Sequence, residues 1–265
     1  MGEVFVITSG KGGVGKTTAT ANIGAALAKL GKKVALIDAD IGLRNLDLLL
    51  GLDKRIVYDL TDVANGNVPL RKALIKHKLV DGLYVLAAPQ SKNKDDVTPD
   101  QMRAICDELK TEFDFILVDC PAGIERGFKN AIAGVDRAIV VATPETSSIQ
   151  DADRVIGLLE SVDIPTPVLL LNRVKQDLIS KKEMISVEDA ISLLQIDVLG
   201  IVPDKDSVII SSNLGIPDVF DGNSEVGIAF RDAAMRMTGE EVPFRQLIVE
   251  TTYQKIKKFV LGIKR

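Results

Sequence analysis

An α/β fold, a doubly wound and mostly parallel sheet flanked by helices, is predicted by three observations on the 265-residue chain. Short apolar, β-branched runs recur along it and read as strands buried on both faces. Helical stretches stand between most of them. The first run leads directly into a glycine loop, Gly10-Lys11-Gly12-Gly13-Val14-Gly15-Lys16-Thr17-Thr18, which opens a helix.

Val4-Phe5-Val6-Ile7 is the first expected strand, and the Ala- and Leu-rich residues 19–30 form the first helix. Further strands are expected at 34–37, 83–86, 115–118, 138–141, 168–171 and 198–202, about seven in all. Helices are read at 99–110, 147–162, 186–194 and 226–238. Right-handed crossovers then place ligands at the carboxyl ends of the strands. Residues 175–182 are mixed and polar and read as a solvated loop, and His77, between Lys76 and Lys78, reads as a solvated surface residue. Gly239-Glu240-Glu241-Val242-Pro243 breaks the last core helix. The expected organisation is a nucleotide-binding domain over 1–238, a linker over 239–252 and an amphipathic helix over 253–265.

With 46% hydrophobic and 26% charged residues the chain can bury one large core without a disulfide or a structural metal. Cys106 and Cys120 make neither a metal spacing nor a disulfide framework, which suits a reducing cytoplasm. A single histidine excludes histidine-based metal and Ser-His sites by count. The net charge of −4 argues against a surface that is wholly a nucleic-acid footprint. There is no charged start with an apolar signal core, and no apolar run approaches the ~20 residues that span a bilayer, so a protein neither exported nor transmembrane is expected.

Residues 10–18 carry the chemistry. Gly10, Gly12, Gly13 and Gly15 let the backbone around Lys11 and Val14 turn its N–H groups inward, and the following helix adds its positive end, so the loop binds phosphate oxygens. Lys16 reaches β- and γ-phosphates, the Thr17 hydroxyl suits Mg²⁺, and Thr18 completes the pattern. Asp119, at the end of an apolar run, has the form of a second motif whose acid holds Mg²⁺ through water, and Gly123 admits a backbone approach to the γ-phosphate. Asp38 and Asp40 follow the second strand; Asp40 is the candidate for positioning or deprotonating an attacking water, and Asp38 for the metal or for orienting a neighbour. Asn172-Arg173 and Pro203-Asp204, after two later strands, read either as turn chemistry or as base contacts.

Lys11 departs from an ordinary phosphate loop. With Asp38-Ala39-Asp40, Gly42-Leu43-Arg44-Asn45-Leu46-Asp47 and Asp119-Cys120-Pro121-Ala122-Gly123-Ile124-Glu125, it resembles the deviant P-loop of the MinD/ParA family of ATPases, from the first strand to the basic C-terminus. The resemblance implies a Mg-ATP-dependent homodimer in which Lys11 crosses to the partner's nucleotide, a catalytic role it would share with Lys16 and Asp40. It also implies membrane binding and septum placement with a MinC-like division inhibitor and a MinE-like ATPase activator. Cys120 stands where the family often has serine, and Asn172-Arg173 differs from some members. A DNA-binding partitioning ATPase of the ParA type is the alternative. An iron-protein reductase would need two cluster cysteines on the dimer face, and a scaffold with a vestigial site would not need Lys16, Thr17, Asp40 and Asp119 together.

In the tail, Tyr253, Ile256, Phe259, Val260 and Ile263 fall within an arc of roughly 120° at helical spacing, while Lys255, Lys257, Lys258, Lys264 and Arg265 lie outside it. A helix of 13 residues is about 20 Å long, too short to cross a bilayer and suited to lying in an anionic surface. The expected location is cytoplasmic, peripherally and reversibly bound to the inner face of the cell membrane.

Overall fold

Among the residues that the computed structural model describes, 1–42, 44–89 and 97–245 with the Arg126 side chain excepted, eight strands form one sheet. They are β1 (Glu3–Thr8), β2 (Val34–Asp38), β3 (Ile75–Lys76), β4 (Leu83–Leu86), β5 (Phe115–Asp119), β6 (Arg137–Ala142), β7 (Val168–Val174) and β8 (Val198–Pro203). Helices α1 (Lys16–Lys29), α2 (Leu46–Leu49), α3 (Leu60–Ala64), α4 (Leu70–Ala73), α5 (Pro99–Lys110) and α6 (Arg126–Ala131) come first. α7 (Thr146–Ser161), α8 (Gln176–Ser180), α9 (Val187–Leu194), α10 (Ser207–Leu214) and α11 (Glu225–Met237) follow. The tail from 246 on, including the expected amphipathic stretch, lies outside the described residues, as do Leu43 and 90–96.

The strand order is β3-β4-β2-β5-β1-β6-β7-β8, parallel except for the β3/β4 pair. Early crossovers wind to one side of β1 and later ones to the other, so β1 sits between β5 and β6 at the topological switch point. The loop after β1 therefore opens into the crevice where a doubly wound sheet binds its ligand.

The central strands are apolar on both faces because each face is covered. Val4 and Val6 join one buried layer, beneath α5, α7 and α9, while Phe5 and Ile7 join the other, beneath α1 and α11. On α1, Ile23 and Leu27 are fully buried, each stabilising by about 2 kcal/mol over exposure. A capping box between Thr98 and Gln101 starts α5, with Pro99 in its first turn, and Ser186 and Ser224 cap α9 and α11.

Several expectations are corrected. β3 is too short to show a period, and it pairs antiparallel with β4 through Ile75–Val85 and Lys76–Tyr84. His77 is buried, not solvated: its ring stacks on Phe220 with centroids 5.8 Å apart. The expected loop at 175–182 contains α8. Helix α1 begins at Lys16, three residues before the Ala-rich run, since Gly15 supplies its N-cap. Asn172, Arg173 and Pro203 lie within β7 and β8, which run on past their apolar runs with irregular register. α10 was not expected, because its exposed Ile209, Ile210 and Leu214 obscure any amphipathic pattern.

Candidate functional site

The glycine loop joins β1 to α1 at the centre of the sheet. Gly15 has φ 99°, and a Cβ there would lie 2.3 Å from the Asn172 amide nitrogen. That nitrogen donates to the Val14 carbonyl at 2.7 Å, so β7 props the loop from behind. Gly10 packs as closely on α7, where a Cβ would meet the Asp151 carbonyl at 2.3 Å. The first turn of α1 carries no acidic residue and no side-chain cap, which leaves its N–H groups for an anion. Lys16 is buried and donates to the Ser9 hydroxyl at 3.0 Å, while Ser9 itself donates to the Lys11 carbonyl at 2.7 Å. Thr17 and Thr18, in the same first turn, are half-buried.

Three aspartates gather beside this loop. Asp38 and Asp119 are register partners at the ends of β2 and β5, and both are buried. Asp38 accepts from the Asp40 N–H at 3.0 Å and the Leu46 N–H at 3.3 Å, which anchors the loop after β2. Burial pushes its carboxyl up to about 7 against those two bonds, and the charges of Asp40 and Asp47 add to the rise. Burial likewise pushes Asp119 up to about 8, helped by the charge of Asp38 and opposed by the Thr17 hydroxyl and the Lys16 ammonium. The Thr20 hydroxyl donates to the Lys16 carbonyl at 3.1 Å and approaches Asp119 at 3.4 Å. Asp40 is half-buried, and its Oδ1 is buried without a partner. The Gly123 N–H donates to the Ser9 carbonyl at 3.3 Å, which brings the loop after β5 against the loop after β1.

The residues expected at the base end also converge. Asn172 Oδ1 accepts from the Arg173 N–H at 2.9 Å, the Asp204 N–H donates to the Val174 carbonyl at 3.1 Å, and Lys175 pairs with Asp204 at 3.0 Å. Pro203 is buried and Arg173 exposed. Asn172 thus has a second role, buttressing Val14, beside the base contact expected of it.

This arrangement fits a magnesium nucleotide. Two buried carboxylates repel each other beside an orphaned oxygen of Asp40, a conflict that a cation relieves. Among the described residues no group of three or more His, Cys, Asp or Glu could hold a metal ion by itself, as suits Mg²⁺, which keeps waters and takes phosphate oxygens. Cys120 beside Asp119 is buried with its thiol pushed up to about 12 by burial, as is Cys106 in α5, so neither is a nucleophile.

Sequence reasoning missed Ser9, Thr20, Glu145 and Ser147. A hydroxyl one turn beyond Lys16 on α1 was a signal available for Thr20; nothing local marked the others.

Residues 5–217 match the CobQ/CobB/MinD/ParA nucleotide binding domain. A septum site-determining protein MinD of Synechocystis sp. is 50% identical over 99% of this chain and 100% of its own length. The MinC:MinD cell division protein complex of Aquifex aeolicus aligns with TM-score 0.87 at 48% identity, over 92% of this chain and 98% of that one. A septum site-determining protein MinD of Pyrococcus horikoshii, solved with Mg-ADP, aligns with TM-score 0.80 at 30% identity, over 89% and 96%.

Proposed function

The chain belongs to the CobQ/CobB/MinD/ParA family of nucleotide-binding domains, and we propose that it is a magnesium-dependent ATPase that places the division septum by recruiting a division inhibitor to the membrane. The observation that carries this is the loop's two lysines, with Lys16 buried against Ser9 and Lys11 turned outward to Glu145. One serves the chain's own nucleotide; the other, held in an exposed ion pair, can be released to a partner's.

Residues 10–18 cradle the phosphates, and Lys16 contacts the β- and γ-oxygens. Thr17 and Asp119 would hold the metal, and Asp38 would support it. Mg²⁺, when bound, neutralises charge on the phosphate oxygens. Asp40 positions the attacking water, and Gly123 lets the backbone approach the γ-phosphate. Asn172, Arg173, Pro203 and Asp204 form the base end. Lys11 acts across an ATP-dependent homodimer, so hydrolysis requires two chains. The partners are a MinC-like inhibitor, as in the related complex, and a MinE-like activator that the family resemblance implies.

Among the described residues no helix is long and apolar enough to cross a membrane. Peripheral attachment at the inner face is assigned to residues 253–265 on the strength of their sequence. Tyr253, Ile256, Phe259, Val260 and Ile263 enter the interface while Lys257, Lys258 and Lys264 meet anionic lipid. Each basic residue contributes about 1 kcal/mol, so one tail binds weakly, and two tails held in one dimer gain on the order of 10²-fold.

Sedimentation with anionic vesicles, run beside a DNA-binding assay, tests the reading. Strong vesicle binding with ATP, weak binding with ADP, and loss on deletion of 253–265 are expected. Equal binding with both nucleotides overturns the switch. DNA binding without vesicle binding transfers the protein to the partitioning class.

A further inference from the structure

The loop after β2 contains an ion pair that none of the roles above uses. Asp47 is buried, at 1% side-chain exposure, and its Oδ2 accepts from Arg44 Nε at 2.8 Å. Arg44 is itself 14% exposed, and its Nη2 donates to the Asp53 carbonyl at 3.2 Å. The Leu52 N–H in turn donates to the Asp47 carbonyl at 2.8 Å. Guanidinium and carboxylate thus tie together Arg44, Asp47 and the chain at Leu52 and Asp53.

Two features make this a positioning device rather than added stability. Arg44 has φ 36°, a left-handed conformation unfavourable for a side chain with a Cβ, and it is kept only where surrounding contacts impose it. Asp47 Oδ1 is buried with no partner, so the pair is incompletely satisfied, and such pairs add little net stability over apolar residues of similar size. Arg44 is also the residue that closes the turn carrying Asp40: its N–H faces the Asp40 carbonyl at 3.5 Å, while the Asp40 N–H is held by Asp38 at 3.0 Å. The backbone of Asp40 is therefore held at both its N–H, by Asp38, and its carbonyl, by the clamped Arg44.

We infer that Arg44 and Asp47 are positioning residues for hydrolysis, clamping the turn so that the Asp40 carboxylate meets the attacking water, with no part in binding the nucleotide. The inference rests on the reading of Asp40 given above. The pair leaves the phosphate loop alone, so its loss appears in turnover and not in affinity.

The test compares Asp47→Asn, Arg44→Lys, Arg44→Ala and the double variant Arg44→Ala/Asp47→Ala with the parent. Mg-ATP affinity is read by calorimetry, kcat at saturating ATP and fixed protein concentration, and Tm by scanning fluorimetry. Arg44→Lys keeps the charge and loses the fork, and it serves if Asp47→Asn does not fold. Expected are a kcat about tenfold lower or worse in each single variant, Kd within about threefold of the parent, and a double variant no slower than the worse single by more than about twofold. Unchanged kcat in the variants, or kcat and affinity falling in parallel with Tm, overturns the inference. A parent that does not hydrolyse ATP overturns the reading of Asp40 and this inference with it, whereas a hydrolysing parent with equally active variants overturns the inference alone.

Discussion

Lys11 Nζ lies 3.2 Å from Glu145 Oε2 and 3.3 Å from Ser147 Oγ, so the lysine of the loop after β1 rests on the N-terminal end of α7. The pair is open to solvent, at 43% and 56% side-chain exposure, and an ion pair of this kind is worth about 0–1 kcal/mol. It can be exchanged for a partner's phosphates at little cost.

From this exchange, Lys11→Ala is expected to bind Mg-ADP as the parent does while losing hydrolysis that rises with protein concentration. Lys16→Ala is expected to lose nucleotide binding itself. Glu145→Gln is expected to move Tm by less than about 3 °C. Calorimetry and a concentration series of specific activity check all three; residual concentration-dependent turnover in Lys11→Ala counts against its role in the partner's site.

Gly15→Ala is expected to destabilise the chain and weaken nucleotide binding together. The new Cβ meets the Asn172 amide at 2.3 Å in a left-handed backbone, a strain of about 1–3 kcal/mol. Asn172→Ala leaves the Val14 carbonyl without its donor, at a similar cost of about 1–3 kcal/mol. Denaturant midpoints without nucleotide measure both effects. A parent-like midpoint for Gly15→Ala would show that the prop on Val14 is dispensable.

On the proposed assignment of Asp38 and Asp119 to the metal, magnesium and protons compete for the same carboxylates. Asp38 and Asp119 have folded-state values of about 7 and about 8, above the unfolded value of 3.8, so the folded chain holds the extra protons in this window. Their contribution to the stability of the nucleotide-free protein therefore falls as pH rises from about 4 to about 8. Binding of Mg-ADP to the ionised pair is expected to raise Tm more at pH 8 than at pH 6 and to release protons at pH 6. Asp119→Asn should flatten the difference. Tm series with and without Mg-ADP, and calorimetry in two buffers of different ionisation enthalpy, read these outcomes.

His77 contributes the opposite slope. Its Nδ1 accepts from the Leu79 N–H at 3.2 Å, and the ring also hydrogen-bonds the Leu50 backbone. Burial lowers its affinity for a proton; the Leu50 bond opposes this and the Arg55 charge adds to it. The folded chain then holds fewer protons than the unfolded one below about pH 6.5, and His77's contribution is lost as pH falls. The difference in Tm between the parent and His77→Gln is expected to shrink between pH 6.5 and pH 5. A constant difference across that range would mean that folding leaves the proton affinity of His77 unchanged.

The sequence by itself determined the sheet, the phosphate loop and the acids at the strand ends. Strands covered on both faces need unbroken apolar runs, so 34–37 and 115–118 were readable without any neighbour. Glycine spacing and the placement of Asp38, Asp40 and Asp119 after those runs are local facts of the chain. The tertiary structure alone decided where His77, Asn172 and Lys11 point. His77 is buried because Phe220 stacks on it from a distant part of the chain, Asn172 props Val14 because β7 passes behind the loop, and Lys11 meets Glu145 because β6 delivers α7 beside it. Arg44 and Asp47 are close in sequence, yet their burial and the left-handed turn they hold depend on Asp38 and on the chain near Asp53. Local pattern encodes what a residue does to its own backbone, whereas the partner of a polar side chain is set by which distant segments the packed sheet brings within about 3 Å.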